Sequence, residues 1–409
     1  MPDEGIFMST TDNPIKGWSE PVRIKEVKGW IDPCPFWDDD GKAYLVNAFS
    51  KGTCGLVSLI QMTEMAPDGK SLIGESKIVF DGTFTQPVIE GPKLYKRNGY
   101  YYIFAPAGSV KTGWQTVLRS ENIWGPYQER IVMIQGDSST NGPHQGGWVD
   151  TENGEDWFIH FQYAGNSGRI VHLQPMIWEN DWPVIGKTAP GTGYGRPVPG
   201  WRKPDIAFDG SVFAPCDSDM FDCDKLGLQW QWNANYKDEW FKLDTINKQL
   251  RLNSQFTEES LYRTSNILIQ KWTAPDLDTI TELELNELNV GDMAGIIAFG
   301  AHYVSLAVEC NEEGKRLVVV KGFSKGQEII PVTAYRSDMK ILKIRMTTIG
   351  QTGEVTFKYS VNGGYEISVN MQLFVKCGNW VGIKNGLYAV NNKSMESAGV
   401  LKVNYFVFQ

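Results

Sequence analysis

The amino-acid sequence predicts an all-β protein of two domains, in which a propeller-like array of hairpins precedes an antiparallel β-sandwich. Its 409 residues exceed the roughly 250–300 at which a single hydrophobic core stops growing. The first half consists of short strand-like runs between clusters of Gly, Pro, Asn and Asp, and a hairpin unit recurs there three times. The second half alternates polar and apolar residues over short segments, which is typical of a sandwich.

The recurring unit of the first half begins with a polar residue, passes through a turn and ends in an aromatic-rich run. We expect strands over 43–48, 100–105 and 157–162. Each turn contains Asp-Gly or Asn-Gly, which predicts type I′ hairpins because both central residues of that turn need positive φ. The three segments are IDPCPFWDDDGKAYLV from Ile31, IEGPKLYKRNGYYYIF from Ile89 and PHQGGWVDTENGEDWFIH from Pro143.

Alignment of the units places three polar residues at equivalent positions. Asp32 and Glu90 each stand nine residues before the glycine of their turn, and His144 stands ten before its own. The units are 58 and 54 residues apart, slightly above the roughly 40–50 of common propeller blades. Equivalent positions of successive blades converge near a propeller axis, so we expect Asp32, Glu90 and His144 to face one central pocket.

Two carboxylates and an imidazole around one pocket suit the hydrolysis of a glycosidic bond. That reaction needs one carboxylic acid to protonate the leaving oxygen and one carboxylate to activate water or attack carbon. Glu90 is the better acid candidate because its longer side chain can reach a leaving group. The alternatives are capping or turn roles for the individual acids, and a non-catalytic propeller that binds carbohydrate or protein.

The sequence resembles glycoside hydrolase family 43, whose members are five-bladed propeller β-xylosidases, α-L-arabinofuranosidases and arabinanases that invert configuration. The first half carries the resemblance in WIDPCPFWDDDGKAYLV, EGPKLYKRNGYYYIFAPAG, GPHQGGWVDT and GRIVHLQPMIWENDWPVIG. The second half, with LGLQWQWNAN, GDMAGIIAFG, VTFKYSVNGGYEI and VLKVNYFVF, resembles the concanavalin-A-like sandwich appended to some members. The predicted organisation is a propeller over 1–200, a linker over 201–224 and a sandwich over 225–409.

The resemblance assigns roles to four residues of this chain. Glu90 matches the general acid, and Asp32 matches a second aspartate that tunes and orients that acid. His144 matches a central histidine that coordinates calcium directly or through water, with a purely structural histidine as the alternative. Arg169 matches an arginine that contacts substrate hydroxyls, with a surface ion pair as the alternative. The resemblance implies calcium as the only expected cofactor.

The resemblance also implies the reaction. We expect exo-acting, inverting removal of terminal xylosyl or arabinofuranosyl units from plant hemicellulose-derived oligosaccharides, with the choice between the two sugars left open. The family's third carboxylate, the general base, would lie two blades before Asp32, ahead of residue 1. Asp3, Glu4 and Asp12 do not stand in the expected Asp-Pro context at a strand start. We therefore expect an N-terminally truncated propeller whose hydrolytic activity is impaired.

Composition and charge exclude several classes of partner. With 39 Lys and Arg against 48 Asp and Glu, the net charge of −9 argues against nucleic-acid binding. No apolar run approaches the roughly 18 residues of a membrane span, so we expect no membrane partner. The six cysteines form no Cys-x-x-Cys pair, and isolated buried thiols are favoured over a Cys216–Cys223 disulfide. The family resemblance favours a periplasmic or secreted location over a cytoplasmic one.

Overall fold

A computed structural model describes residues 3–188, 191–207, 210, 214, 216–257 and 260–409 of the chain. The fold is built from β-strands, as predicted, and it divides into two compact units. The first comprises Met1–Tyr163 with Ile170–Asp209, and the second comprises Ala164–Arg169 with Gly210–Gln409. The α-helices of the described residues, α1 (Lys51–Cys54) and α2 (Ser109–Thr112), have four residues each. None of the helices described is long and apolar enough to span a membrane.

The first unit contains three antiparallel blades and a two-stranded sheet of β1 and β2. The blades are β3–β6, β7–β10 and β11–β14, and β16 extends the second blade by pairing parallel to β10. The strands are β1 (Ile6–Met8), β2 (Val22–Lys25), β3 (Trp30–Trp37), β4 (Ala43–Phe49), β5 (Leu59–Met65), β6 (Lys77–Asp81), β7 (Lys93–Arg97), β8 (Tyr100–Ala107), β9 (Trp114–Ser120), β10 (Gln128–Met133), β11 (His144–Asp150), β12 (Asp156–Tyr163), β13 (Arg169–Glu179), β14 (Trp182–Ile185), β15 (Lys187–Thr188) and β16 (Gly195–Arg196).

Successive blades pack face to face through apolar side chains. All seven residues of β4 are buried because the blade is covered on both faces. One cluster joins the first blade to the second through Val46, Met62 and Ile103, and another joins the second to the third through Phe104 and Phe158. Burying a side chain of this size contributes about 1.5–3 kcal/mol, so these two clusters hold the blades in register.

The predicted type I′ turn is present in the second blade and absent from the other two. Asn98 and Gly99 both have positive φ, 50° and 81°, which is the type I′ pattern. The first and third blades instead use three-residue loops in which the glycine alone is left-handed, as shown by Gly41 at φ 82° and Gly154 at φ 77°. These two loops are therefore one residue longer than the loop of the second blade.

Because of this difference in loop length, the predicted alignment of the first blade with the second is wrong by one residue. Strand pairing places Ile31 opposite Ala48 and His144 opposite Phe161, each followed by a bulge. Glu90 occupies the same position in the second blade, where its amide donates to the Pro106 carbonyl at 3.1 Å. Ile31, and not Asp32, is therefore the structural equivalent of Glu90 and His144. Asp32 occupies the next position, which is filled by Gly91 in the second blade and by Gln145 in the third.

Left-handed backbone identifies that next position in every blade. Asp32, Gly91 and Gln145 have φ values of 53°, 60° and 49°. The same left-handed residue therefore recurs near the start of β3, β7 and β11.

The second unit is an antiparallel sandwich of two sheets, as predicted. One sheet has the order β17–β21–β31–β23–β24–β25–β26 with β20 beside β31, and the other has β18–β19–β32–β22–β27–β28–β29 with β30 beside β28. The strands are β17 (Gln231–Trp232), β18 (Phe241–Asp244), β19 (Gln249–Asn253), β20 (Gln255–Phe256), β21 (Ile267–Lys271), β22 (Asp276–Glu284), β23 (Asp292–Phe299), β24 (His302–Asn311), β25 (Gly314–Phe323), β26 (Gly326–Pro331), β27 (Ile341–Ile349), β28 (Glu354–Val361), β29 (Ile367–Ser368), β30 (Leu373–Phe374), β31 (Lys384–Asn391) and β32 (Val400–Phe408).

The core of the sandwich lies between its two sheets. Leu306 and Val319 from one sheet and Ile344 from the other belong to a single cluster of fully buried apolar residues. Part of the predicted linker also belongs to this unit, because Asp219 exchanges backbone hydrogen bonds with Phe406 and Phe221 is buried in the same cluster. Cys216 and Cys223 are free thiols, as predicted, but both are exposed, so the prediction that they are buried is wrong.

Candidate active site

The inner ends of the second and third blades place Glu90 and His144 in direct contact. Glu90 lies three residues before the first residue of β7, and His144 is the first residue of β11. His144 Nε2 lies 2.7 Å from Glu90 Oε1, a hydrogen-bond distance across two blades. The His144 side chain is fully buried, whereas 26% of the Glu90 side chain is exposed. The imidazole thus fixes one carboxyl oxygen of Glu90 while part of the side chain remains open to solvent.

Asp32 joins the same cluster from the first blade. Its Oδ2 accepts hydrogen bonds from the Gly91 amide at 3.0 Å and from Gln145 Nε2 at 3.3 Å. Gly91 is the chain neighbour of Glu90, and Gln145 is the chain neighbour of His144. The contacts form a closed ring through three blades, so the predicted convergence of Asp32, Glu90 and His144 is present in the structure.

Gly91 leaves room for the Gln145 side chain in this ring. Its φ of 60° matches those of Asp32 and Gln145 at the same position of their blades, so the backbone conformation by itself does not require glycine. A Cβ atom built on it would lie 2.4 Å from Gln145 Oε1, closer than real Cβ contacts come. The absence of a side chain therefore lets the Gln145 side chain lie close to Gly91.

The arrangement has the chemical groups that proton transfer to a leaving oxygen requires. A carboxyl with one anchored oxygen and partial exposure can hold its proton in a defined direction. A second carboxylate beside it adds negative charge and accepts hydrogen bonds from neutral donors. A general acid of this kind is one of the two carboxyls that glycosidases use.

The second ring nitrogen of His144 has no hydrogen-bond partner among the described residues, although it is buried. An orphaned buried nitrogen is a position at which a ligand or water can bind. Calcium, however, prefers six to eight oxygen ligands. No group of three or more His, Cys, Asp or Glu side chains suited to a metal occurs in the described part of the chain. Calcium at His144 stays a prediction.

Arg169 is the first residue of β13 and is partly buried. The structure groups it with Ala164–Arg169 in the second unit, whereas Asp32, Glu90 and His144 lie in the first. Its predicted role toward substrate stays a prediction.

Two members of the ring were absent from the sequence-based site. Gln145 Nε2 and the Gly91 backbone amide both donate hydrogen bonds to Asp32 Oδ2. Both occupy the structural position of Asp32 in their own blades. An alignment that allowed a longer turn in the first blade would have identified them.

Comparison with known families gives two matches that together account for most of the chain. Residues 1–183 match the model of glycosyl hydrolases family 43. Residues 218–409 match the model of the beta xylosidase C-terminal concanavalin A-like domain.

Relatives and solved structures agree with these matches. A protein of Xylanibacter ruminicola named "Putative beta-xylosidase" is 38% identical over 386 residues, which cover 94% of this chain and 69% of that protein. A beta-xylosidase of Formosa agariphila is 27% identical, with 98% and 74% covered. The crystal structure of a xylan beta-1,4-xylosidase from Bacillus halodurans superimposes with a TM-score of 0.83 at 22% identity, covering 98% of this chain and 80% of that one. That likeness shows the shared fold.

Proposed function

The chain belongs to glycosyl hydrolases family 43, and we propose that it removes terminal xylosyl or arabinofuranosyl units from hemicellulose-derived oligosaccharides with inversion at the anomeric carbon. The observation that carries this proposal is the partly exposed Glu90 carboxyl, fixed by buried His144 and adjacent to the Asp32 ring. The names of the relatives support a xylosidase, since both the Xylanibacter and the Formosa proteins carry that name.

Glu90 is the proposed general acid. Its carboxyl proton passes to the glycosidic oxygen as the bond from that oxygen to the anomeric carbon breaks, so the leaving sugar departs as a neutral alcohol. A water molecule adds to the anomeric carbon from the opposite face and loses its proton to a base. His144 holds Glu90 Oε1 in place during the transfer.

Asp32 is proposed to position Glu90 through the backbone. Its Oδ2 holds the Gly91 amide and so fixes the peptide that follows Glu90. The further role of tuning the acid, which the family resemblance gives to Asp32, is kept as a proposal.

We assign no residue as the base that accepts a proton from the attacking water. The described hydrogen bonds join Asp32 and Glu90 into one ring and add no third carboxylate to it. A positioned general base contributes about 10²–10⁴-fold to the rate. The impaired hydrolysis that the family resemblance implies is kept as a proposal.

Two further features of this function remain proposals. Calcium takes part in no step derived above, and its binding at His144 is proposed from the family resemblance. A periplasmic or extracellular location rests on the family resemblance.

Replacement of Glu90 by Gln tests the assignment of the acid. We expect the rate on 4-methylphenyl xyloside or arabinofuranoside, whose leaving group needs a proton, to fall by about 10²–10⁴-fold. The rate on the dinitrophenyl glycoside should fall much less, since that leaving group departs without protonation. Initial rates on the two substrates measure the difference.

The matched control is Glu121→Gln, which makes the same change at an exposed position of the first unit. It should leave both rates at the wild-type value. Equal, small losses on both substrates in Glu90→Gln would rule out Glu90 as the acid. A wild-type chain that cleaves neither sugar would instead favour a propeller that binds without catalysis.

A further inference from the structure

The sandwich carries an open groove of about 430 Å³ at one end of strands β24, β25 and β26. Its lining includes aromatic residues from both sheets, together with polar residues of β25 and β26. A volume of this size falls within the roughly 300–1,000 Å³ of small-molecule sites. None of its residues belongs to the ring of Asp32, Glu90 and His144.

Aromatic rings form one wall of the groove. His302 and Phe323 are cross-strand partners of β24 and β25, and their ring centroids are 5.6 Å apart with planes inclined by 30°. Phe374 joins them from β30 of the other sheet. Phe323 is 43% exposed and Phe374 49% exposed, so both rings present apolar surface to solvent. Neighbouring exposed aromatics around one groove indicate a binding surface.

Polar groups on β25 and β26 form the rest of the lining. Lys321 and Glu328 are cross-strand partners joined by an ion pair of 3.1 Å, so their charges cancel. Gln327 Oε1 accepts from the Tyr303 hydroxyl at 2.7 Å and from the Leu261 amide at 3.2 Å. These two bonds fix the Gln327 amide, while its Nε2 donates to no described group and the residue is exposed.

We propose that this groove binds a neutral oligosaccharide of pentose units, such as a segment of xylan. Sugar rings present apolar C–H faces that lie against aromatic rings. Their hydroxyls accept hydrogen bonds from the Gln327 amide and the Lys321 ammonium, and they donate to the Glu328 carboxylate. An anionic ligand would meet a charge-neutral lining in a protein of net charge −9. The choice of pentose rests on the proposed function, whereas the choice of a neutral sugar rests on the groove itself.

The test measures xylohexaose binding to the full chain by isothermal titration calorimetry. Glu90→Gln is the parent in every titration, so that the ligand survives. We expect the Phe323→Ala/Phe374→Ala variant to bind xylohexaose about tenfold more weakly, since loss of buried aromatic contacts dominates binding energies. Phe323→Trp, which keeps an aromatic face, should retain the affinity of the parent.

The matched control is Tyr365→Ala, which removes an aromatic ring that is 95% exposed and lies outside the groove of the same unit. Its affinity should equal that of the parent. Circular dichroism and the thermal midpoint verify that every variant is folded. Absence of xylohexaose binding by the parent, or equal affinity in the Phe323→Ala/Phe374→Ala variant, overturns the proposal.

The outcome for the groove is distinguishable from the outcome for the proposed function. If the wild-type chain cleaves no aryl glycoside and the groove variant still loses affinity, then the hydrolase proposal fails and the groove stands. If the chain cleaves aryl xylosides and the groove variant binds like the parent, then the groove proposal fails and the hydrolase stands.

Discussion

His144 and His160 are both buried in the propeller, but their ring nitrogens contact different partners. His144 contacts the Glu90 carboxyl through Nε2. His160 stacks between Phe158 and His172, at centroid distances of 6.1 and 5.4 Å, and its Nδ1 donates to the Phe161 carbonyl at 3.2 Å. No carboxylate is among these contacts of His160, so nothing there offsets the cost of burying a positive charge.

Burial lowers the pKa of His160 to about 4 from an ordinary 6.5. The folded protein therefore keeps this imidazole neutral at pH values where the unfolded chain protonates it. Because the unfolded state binds the extra proton, the stability that a neutral His160 provides is present above pH 6.5 and is lost as the pH falls toward 4. The full loss is about 3 kcal/mol.

Chemical denaturation at pH 7 and pH 4.5 measures this effect in wild type and in His160→Gln. We expect the unfolding free energy of wild type to fall further between these pH values than that of the variant, which has no imidazole to protonate. Parallel losses in the two proteins would contradict the assignment.

At the scale of elements, the turn of the first hairpin holds the first two blades together. Asp38, at the end of the β3–β4 hairpin, accepts from Lys96 of β7 at 2.5 Å and from the Tyr101 hydroxyl of β8 at 2.6 Å. Burial of the Asp38 carboxyl acts to raise its pKa, but these hydrogen bonds outweigh it and hold the pKa below the ordinary value. Only 4% of the Asp38 side chain is exposed.

Asp38→Asn should destabilise the first unit by about 1–3 kcal/mol, since it leaves Lys96 without its buried partner. The matched control is Asp39→Asn, which removes the same charge from the adjacent residue. Asp39 also pairs with Lys96, at 3.0 Å, but its side chain is 87% exposed. We expect the control to change stability by less than about 1 kcal/mol. Equal losses on urea denaturation would show that the contact between blades does not depend on Asp38.

At the scale of the whole molecule, the third blade presents an apolar face to solvent. Strand alternation puts buried residues such as Phe158 and Met176 against the second blade. The opposite face carries exposed apolar residues on three neighbouring strands: Val149, Ile159, Val171, Leu173 and Ile177. A contiguous face of this kind favours association between molecules.

We expect the isolated chain to self-associate through this face, and Val171→Lys/Ile177→Lys to reduce that association. These two residues are 69% and 53% exposed, so the lysines remain in solvent. Size-exclusion chromatography with light scattering over a range of concentrations measures the mass. The control Ile246→Lys changes an isolated residue that is 91% exposed in the second unit and should leave the mass unchanged. A monomeric wild type at every concentration would exclude the association.

Much of the fold could be predicted because its signals are local. The predicted strands over 43–48, 100–105 and 157–162 correspond to β4, β8 and β12, and the alternation of the second half gave the sandwich strands. The Asn362-Gly363 turn has both residues at positive φ, as its sequence indicates. Turn residues and the two-residue period act over a few positions, so they can be recognised without knowing what packs against them.

The candidate site could be predicted only in part. The repeat spacing predicted that Asp32, Glu90 and His144 lie close together, but it did not identify Gln145 and Gly91 as members of the site. The reason is the length of the turn. Two-residue and three-residue loops both end in glycine, but the strand that precedes the longer loop is shifted by one residue relative to that glycine. Period alone does not distinguish them.

The sequence by itself determined that the chain is a repeat of hairpins followed by a sandwich, because hydrophobic alternation and turn chemistry are local properties. Tertiary structure alone decided that His144 bonds to Glu90, 54 residues away, and that Gln145 bonds to Asp32, 113 residues away. Contacts over such separations depend on the stagger and twist of whole blades. These are fixed by packing between sheets, where a shift of one residue changes which side chains meet.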